Sequence, residues 1–134
     1  IQNIGFERTN YPDGYFDVAI GNVPFGDYRV NDSVYNSHGF LIHDYFFAKT
    51  LDKLRAGGVA AYITTKGTMD KESTKVREFL FKKAELLGAI RLPNTAFKNA
   101  GTKVTADILF LQKREKEIEN PVCRITKIQI PKKI

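Results

Sequence analysis

Two short apolar runs, Phe16-Asp17-Val18-Ala19-Ile20-Gly21 and Val59-Ala60-Ala61-Tyr62-Ile63-Thr64, bracket a segment of helical period, and this order constrains the fold more than any other feature of the chain. From Phe40 to Arg55 the residues Leu41, Tyr45, Ala48, Leu51 and Leu54 recur at spacings of three and four, which marks one face of a helix, and Gly57-Gly58 supplies a left-handed stop for it. Each run is too short for a helix. The first lies between the turn residues Tyr11-Pro12-Asp13-Gly14 and Asn22-Val23-Pro24, so it reads as a buried strand that opens into a loop. Strand, helix and strand in this order form a parallel βαβ unit.

Downstream, after a loop at Thr65–Asp70, the stretch Ser73–Leu87 carries Val76, Leu80, Ala84 and Leu87 on one stripe and predicts a second helix. Ala89-Ile90-Arg91-Leu92 is stopped by Pro93, and Val104–Gln112 is a further apolar stretch across a polar segment, so the last two strands are expected to pair antiparallel. The expected fold class is α/β: half of an open, Rossmann-like sheet of parallel strands with an antiparallel last strand near one edge and helices on its faces. In such sheets ligands sit at the C-terminal ends of the parallel strands, and Asn22 stands at such an end. Residues 1–114 are expected to form one unit. Residues 115–134 form a basic tail or the start of a following region, with Ile125, Lys127, Ile128 and Ile130 suggesting a peripheral strand.

With 134 residues, 43% of them apolar, the chain is long enough for one domain with a real core and is not a disordered tail. The formal charge of +6 invites a nucleic-acid reading, but residues 113–134 hold seven basic and three acidic side chains, a balance of +4, which leaves +2 for the rest. A single cysteine, Cys123, forms no internal disulfide, and a cytoplasmic location is expected. The sequence holds no apolar run of the roughly 18 residues a membrane helix needs. The first residue is Ile1 and not Met, so a piece of something longer is expected.

The segment Asp17-Val18-Ala19-Ile20-Gly21-Asn22-Val23-Pro24-Phe25 resembles the catalytic motif of S-adenosylmethionine-dependent amino-methyltransferases acting on DNA adenine, in which a strand ends in Asn-Pro-Pro-Phe or Asn-Pro-Pro-Tyr. Taken alone, an Asn and a Pro after a strand also serve as a plain turn, and Phe25 could belong to the core. The later text Gly88-Ala89-Ile90-Arg91-Leu92-Pro93-Asn94-Thr95-Ala96-Phe97, then Gly101-Thr102-Lys103 and Asp107-Ile108-Leu109-Phe110-Leu111, raises the case. It is similar to the last strand pair of modification subunits of type I restriction systems and of large methylase proteins carried by phages and mobile elements. The resemblance covers roughly residues 5–114. It implies a DNA adenine methyltransferase of which this chain is the C-terminal half, with DNA and the N-terminal half of the same domain as partners.

The chemistry makes these residue types intelligible. The exocyclic amine of adenine is a poor nucleophile because its lone pair is delocalised into the ring, so acceptors must localise it. The side-chain oxygen of Asn22 and the carbonyl of Val23 would each accept one amine hydrogen. Pro24 would stiffen the loop, and Phe25 would stack on a base extruded from the duplex. The family's first Pro is Val23 here, which is expected to be tolerated with a slightly looser loop.

Glu7 lies about where the family places an acidic residue that holds the cofactor's adenine amino group, although a count without gaps from Asn22 puts Phe6 there. Lys98 and Lys103 are candidates for phosphate contact or ordinary solvated lysines. His38 and His43 show no metal spacing, so no metal is expected, and His43 reads as a satisfied structural histidine on the first helix. The cofactor implied is S-adenosylmethionine. The glycine-rich Gly-x-Gly turn that holds it has no counterpart in the sequence, so its site is expected to lie largely outside this chain, which should be inactive alone. Two other readings remain: a methyltransferase acting on a glutamine amide in a protein, and a non-catalytic docking module of a large mobile-element protein.

Overall fold

The computed structural model describes residues 1–97 and 105–121. In chain order its main elements are β1 (Phe16–Asn22), α1 (Ile42–Lys53), β2 (Leu54–Thr65), α2 (Gly67–Asp70), α3 (Lys75–Lys83), β3 (Ala84–Arg91) and β4 (Ala106–Lys113). The strands lie in the order β1-β2-β4-β3, with β1 and β2 parallel and β4 antiparallel to both β2 and β3. The first three strands thus run one way, and β4 is inserted between the second and third. Lys98, Lys103, Cys123 and the suggested peripheral strand lie outside the described residues.

The helices pack on one face. Phe47 and Leu51 of α1 and Leu80 and Phe81 of α3 meet Leu54, Ala60 and Tyr62 of β2 and Leu109 and Leu111 of β4, all buried. Each large side chain removed from water here contributes about 1.5–3 kcal/mol. Thr50 and Tyr62 pair their hydroxyls at 2.6 Å within this layer, so neither is buried without a partner. The residues of opposite parity, Val18, Ile20, Val59, Ala61, Ile63, Ile108, Phe110 and Ile90, line up across the register on the other face. No described element covers that face, and Val18, Ile20 and Ile90 remain 55%, 79% and 53% exposed.

Several boundaries differ from expectation, each for a local reason. The first helix ends at Lys53 without a left-handed cap, because Leu54 is already extended (φ −74°, ψ 140°) and begins β2. Gly57, with φ +76°, lies inside β2, where the pairing jumps from Phe16↔Leu54 to Val18↔Val59. The predicted helix over Ser73–Leu87 covers only Lys75–Lys83. Ala84 and Leu87 belong to β3, because pairing with β4 begins at Ala84↔Lys113 and captures the backbone the stripe would have extended. The loop Thr65–Asp70 contains one helical turn, closed by the Met69 and Asp70 amides on the Lys66 carbonyl.

Gly58 is a close-approach position, since an added Cβ would lie 2.9 Å from the Arg55 carbonyl oxygen and 3.0 Å from that of Asp17. Both contacts are backbone and neither can swing aside. Gly58→Ala is expected to cost about 1–3 kcal/mol in urea unfolding. Gly88→Ala, whose Cβ meets nothing within 4 Å, should stay within about 0.5 kcal/mol of the parent.

Candidate acceptor-base site

The rim of the sheet is built by the end of β1. Asn22 pairs with Ile63 in register, and the Val23 amide donates to the Ile63 carbonyl at 3.0 Å, so pairing runs one residue beyond the strand. A proline at 23 would lack that donor. The Val23 side chain is 2% exposed and belongs to the core. The loop expected to be looser is therefore anchored twice, by a hydrogen bond and by a buried side chain.

Above this anchor the polar groups are free. Asn22 is exposed, and its carboxamide makes no hydrogen bond among the described residues; nor does the Val23 carbonyl accept one. Pro24 is half-buried, and Phe25 is 38% exposed and stands outside both core clusters. Gly26 follows, leaving the space in which the exposed Tyr28 ring lies, 2.6 Å from where a Cβ would be. A carboxamide, a bare carbonyl and an aromatic ring thus project from one rigid strand end.

From Phe25 the chain enters a long loop whose order depends on Asp32. The Asp32 carboxylate accepts hydrogen bonds from the Tyr45 hydroxyl at 2.7 Å, Lys49 Nζ at 3.0 Å and the Val34 amide at 3.1 Å, and its carbonyl accepts the Tyr35 and Asn36 amides. Burial pushes this carboxyl up, but those three hydrogen bonds and the Lys49 charge outweigh it, and the acid is held below its ordinary range. Burial and the neighbouring carboxylate in turn push the Tyr45 phenol up, so it stays a donor. In the sequence Asp32 is marked only by the turn signature Asn31-Asp32-Ser33 and by Lys49, which interrupts the Ile42, Tyr45 stripe and so requires a buried partner.

Glu7 occupies a single 3-10 turn, Phe6–Arg8, docked on α1 through Phe6, whose ring lies 4.8 Å from that of Phe46. Its carbonyl accepts Lys49 Nζ at 3.3 Å, and its half-buried carboxylate is 3.8 Å from Arg8 Nε. Phe6, the gap-free alternative, is committed to packing. No described contact joins Glu7 to the Asn22 loop.

His43 departs from the satisfied histidine expected. It is 6% exposed, its Nδ1 has no hydrogen-bond partner among the described residues, and its Nε2 is 3.5 Å from Asp44 Oδ1 and 3.4 Å from Lys71 Nζ. Burial pushes its pKa down, opposed by Asp44 and Asp27 and reinforced by Lys71. The unfolded ring, near 6.5, then binds a proton that the folded ring refuses, so stability falls as pH drops below about 6.5. His43→Gln should flatten that part of the profile in urea unfolding at pH 5.5 against pH 7.5.

The sequence profile of the N-6 DNA methylase family matches residues 5–133. The chain is 33% identical over 128 residues to the defense against restriction protein B of Escherichia phage P1, covering 91% of this chain and 6% of that one. Its fold is shared with a Listeria monocytogenes protein assigned to the class I S-adenosylmethionine-dependent methyltransferases (TM-score 0.63, 23% identity, 85% of this chain and 36% of that one). It is also shared with the M protein of the type I restriction enzyme EcoKI (TM-score 0.61, 23% identity, 81% and 23%). The chain thus spans a small part of each relative. A match over nearly the whole sequence, on a sheet with this strand order and a rim motif at the end of its first strand, means that the chain belongs to the N-6 DNA methylase family.

Proposed function

We propose that this chain is the acceptor-base half of a domain that transfers a methyl group from S-adenosylmethionine to the exocyclic amine of adenine in DNA, and that a longer protein supplies the other half. Residues 1–114 carry the half described here. One observation carries the reading: the Asn22 carboxamide and the Val23 carbonyl, neither hydrogen-bonded among the described residues, and the exposed Phe25 ring share one anchored strand end. The small share of each relative that the chain spans, the outer edge of β1, which no described strand pairs, and the exposed Val18 and Ile20 support the presence of a further half.

In this reading Phe25 holds the extruded base by stacking. The Asn22 oxygen and the Val23 carbonyl each accept one amine hydrogen, which draws the nitrogen toward tetrahedral geometry and stabilises the positive charge that grows on it. Val23, held from below by its amide and its buried side chain, keeps that carbonyl aimed without rearrangement at the moment of reaction. S-adenosylmethionine, when bound, supplies the methyl group. The residues present fit the acceptor half and not the donor half, for the glycine-rich turn has no counterpart; toward the cofactor the reading assigns Glu7 alone, whose side chain is 28% exposed. Incubating the longer protein with tritiated cofactor should label DNA. Label on protein alone would favour the glutamine-amide reading, and label on neither would favour a docking module.

A further inference from the structure

The loop between Asn22 and α1 runs through residues 23–41 with no more than one helical turn, at Asn36–His38. Loops of that length in compact domains are ordered when something requires their shape. Here Asp32 pins the middle to Tyr45 and Lys49, Arg29 Nε closes the ends on the Gly39 carbonyl at 3.0 Å, and the Ile42 amide donates to the Tyr28 carbonyl. The result is a groove of about 350 Å3 lined by Arg29, Asn31, Tyr35, Asn36, Phe40 and Tyr45 among others.

We propose that this groove is a subsite for the nucleotide adjacent to the target adenine on the same DNA strand; the inference rests on the acceptor-base reading above. Position is the first argument. The loop leaves the rim at Phe25 and returns to the N-terminus of α1, which a parallel crossover places at the same end of the sheet.

Chemistry is the second argument. Arg29 is exposed and uses only Nε in its bond to Gly39, which orients the guanidinium and leaves its terminal nitrogens without a described partner, as a bidentate phosphate contact requires. Phe40, half-buried against the Tyr35–Tyr45 cluster, stacked on His38 with centroids 5.0 Å apart and planes at 10° and edge-on to Phe79 at 5.1 Å, gives the groove an aromatic wall. Asn36 spends its amide on the Asn31 oxygen at 2.7 Å and its oxygen on the Asp32 amide, which leaves the Asn31 amide nitrogen as a donor without a described partner. The Asp32 charge does not repel the strand, because Lys49 neutralises it from inside. A volume of about 350 Å3 falls at the small end of the roughly 300–1,000 Å3 typical of ligand sites, the scale of a single nucleotide.

Two measurements test this. In the longer methyltransferase, Arg29→Gln should raise KM for DNA about tenfold with kcat within about twofold, and should reduce the slope of log affinity against log salt by about one. Unchanged KM and slope overturn the subsite; if Asn22→Ala abolishes transfer in the same series, the acceptor-base reading stands without it. Should the wild type transfer nothing to DNA, it is the acceptor-base reading that fails. Independently, titrating a single-stranded tetranucleotide into the 15N-labelled protein should shift the Arg29 and Gly39 amides and the Asn31 side-chain amide, and Arg29→Gln should weaken that response. Shifts confined to other residues overturn the subsite whatever the activity.

Discussion

Asn22→Ala in the longer protein lowers methyl transfer to DNA by at least about 100-fold, the scale expected when a transition-state acceptor is removed. The loss falls on kcat, because the fold does not depend on this side chain: Asn22 is exposed and its carboxamide hydrogen-bonds to no described residue, while Val23 keeps its amide on Ile63 and its side chain in the core. DNA affinity should change by less than about threefold, a small fraction of the binding free energy that phosphate contacts dominate. Single-turnover transfer of a tritiated methyl group, together with an unfolding curve, separates the two effects. A variant that unfolds at the wild-type midpoint yet transfers at the wild-type rate removes Asn22 from the chemistry.

The largest expected change in stability lies elsewhere, in the contact that ties α1 to the segment after α2. Asp44 is 2% exposed, and Lys71 Nζ donates to its Oδ2 at 2.7 Å; Asp44 Oδ1, 3.5 Å from His43 Nε2, has no hydrogen bond among the described residues. Arg77, 8% exposed, holds the same segment by donating Nη1 to the Met69 and Lys71 carbonyls at 3.1 and 2.6 Å. Lys71→Met strands a buried carboxylate and should cost about 3–5 kcal/mol. The double variant Lys71→Met, Asp44→Leu should recover much of that loss, because it removes the desolvated charge as well as its partner. Urea midpoints for the single and double variants decide it: if the single variant costs less than about 1 kcal/mol, the pair is not a buried ion pair in solution.

The parts of this structure legible in the sequence are those set by periodicity and by a short motif. Alternating burial within β2, the apolar face of α1 and the antiparallel pairing of the last two strands all follow from spacing. Boundaries were less legible because tertiary pairing overrode local preference: Ala84 continues the helical stripe of Val76 and Leu80, yet β4 captures it as strand. The residues that shape the rim were also hidden. Asp32, Tyr45 and Lys49 are 13 and 17 positions apart, so nothing local joins them, and only the fold shows that a lysine and a tyrosine on α1 face one carboxylate. In the sequence Val23 is a departure from a proline motif, whereas burial makes it the anchor of the loop. His43 shows the reverse case, a residue whose type suggests a quiet structural role and whose burial, by pushing its pKa down, makes it a source of acid sensitivity.

The most direct test is the structure of the longer protein bound to DNA that carries its target adenine. The adenine should be extruded from the duplex and stacked on Phe25, with its exocyclic nitrogen about 3 Å from both the Asn22 side-chain oxygen and the Val23 carbonyl. An adenine still paired in the duplex, or extruded into a pocket that neither group reaches, would contradict it.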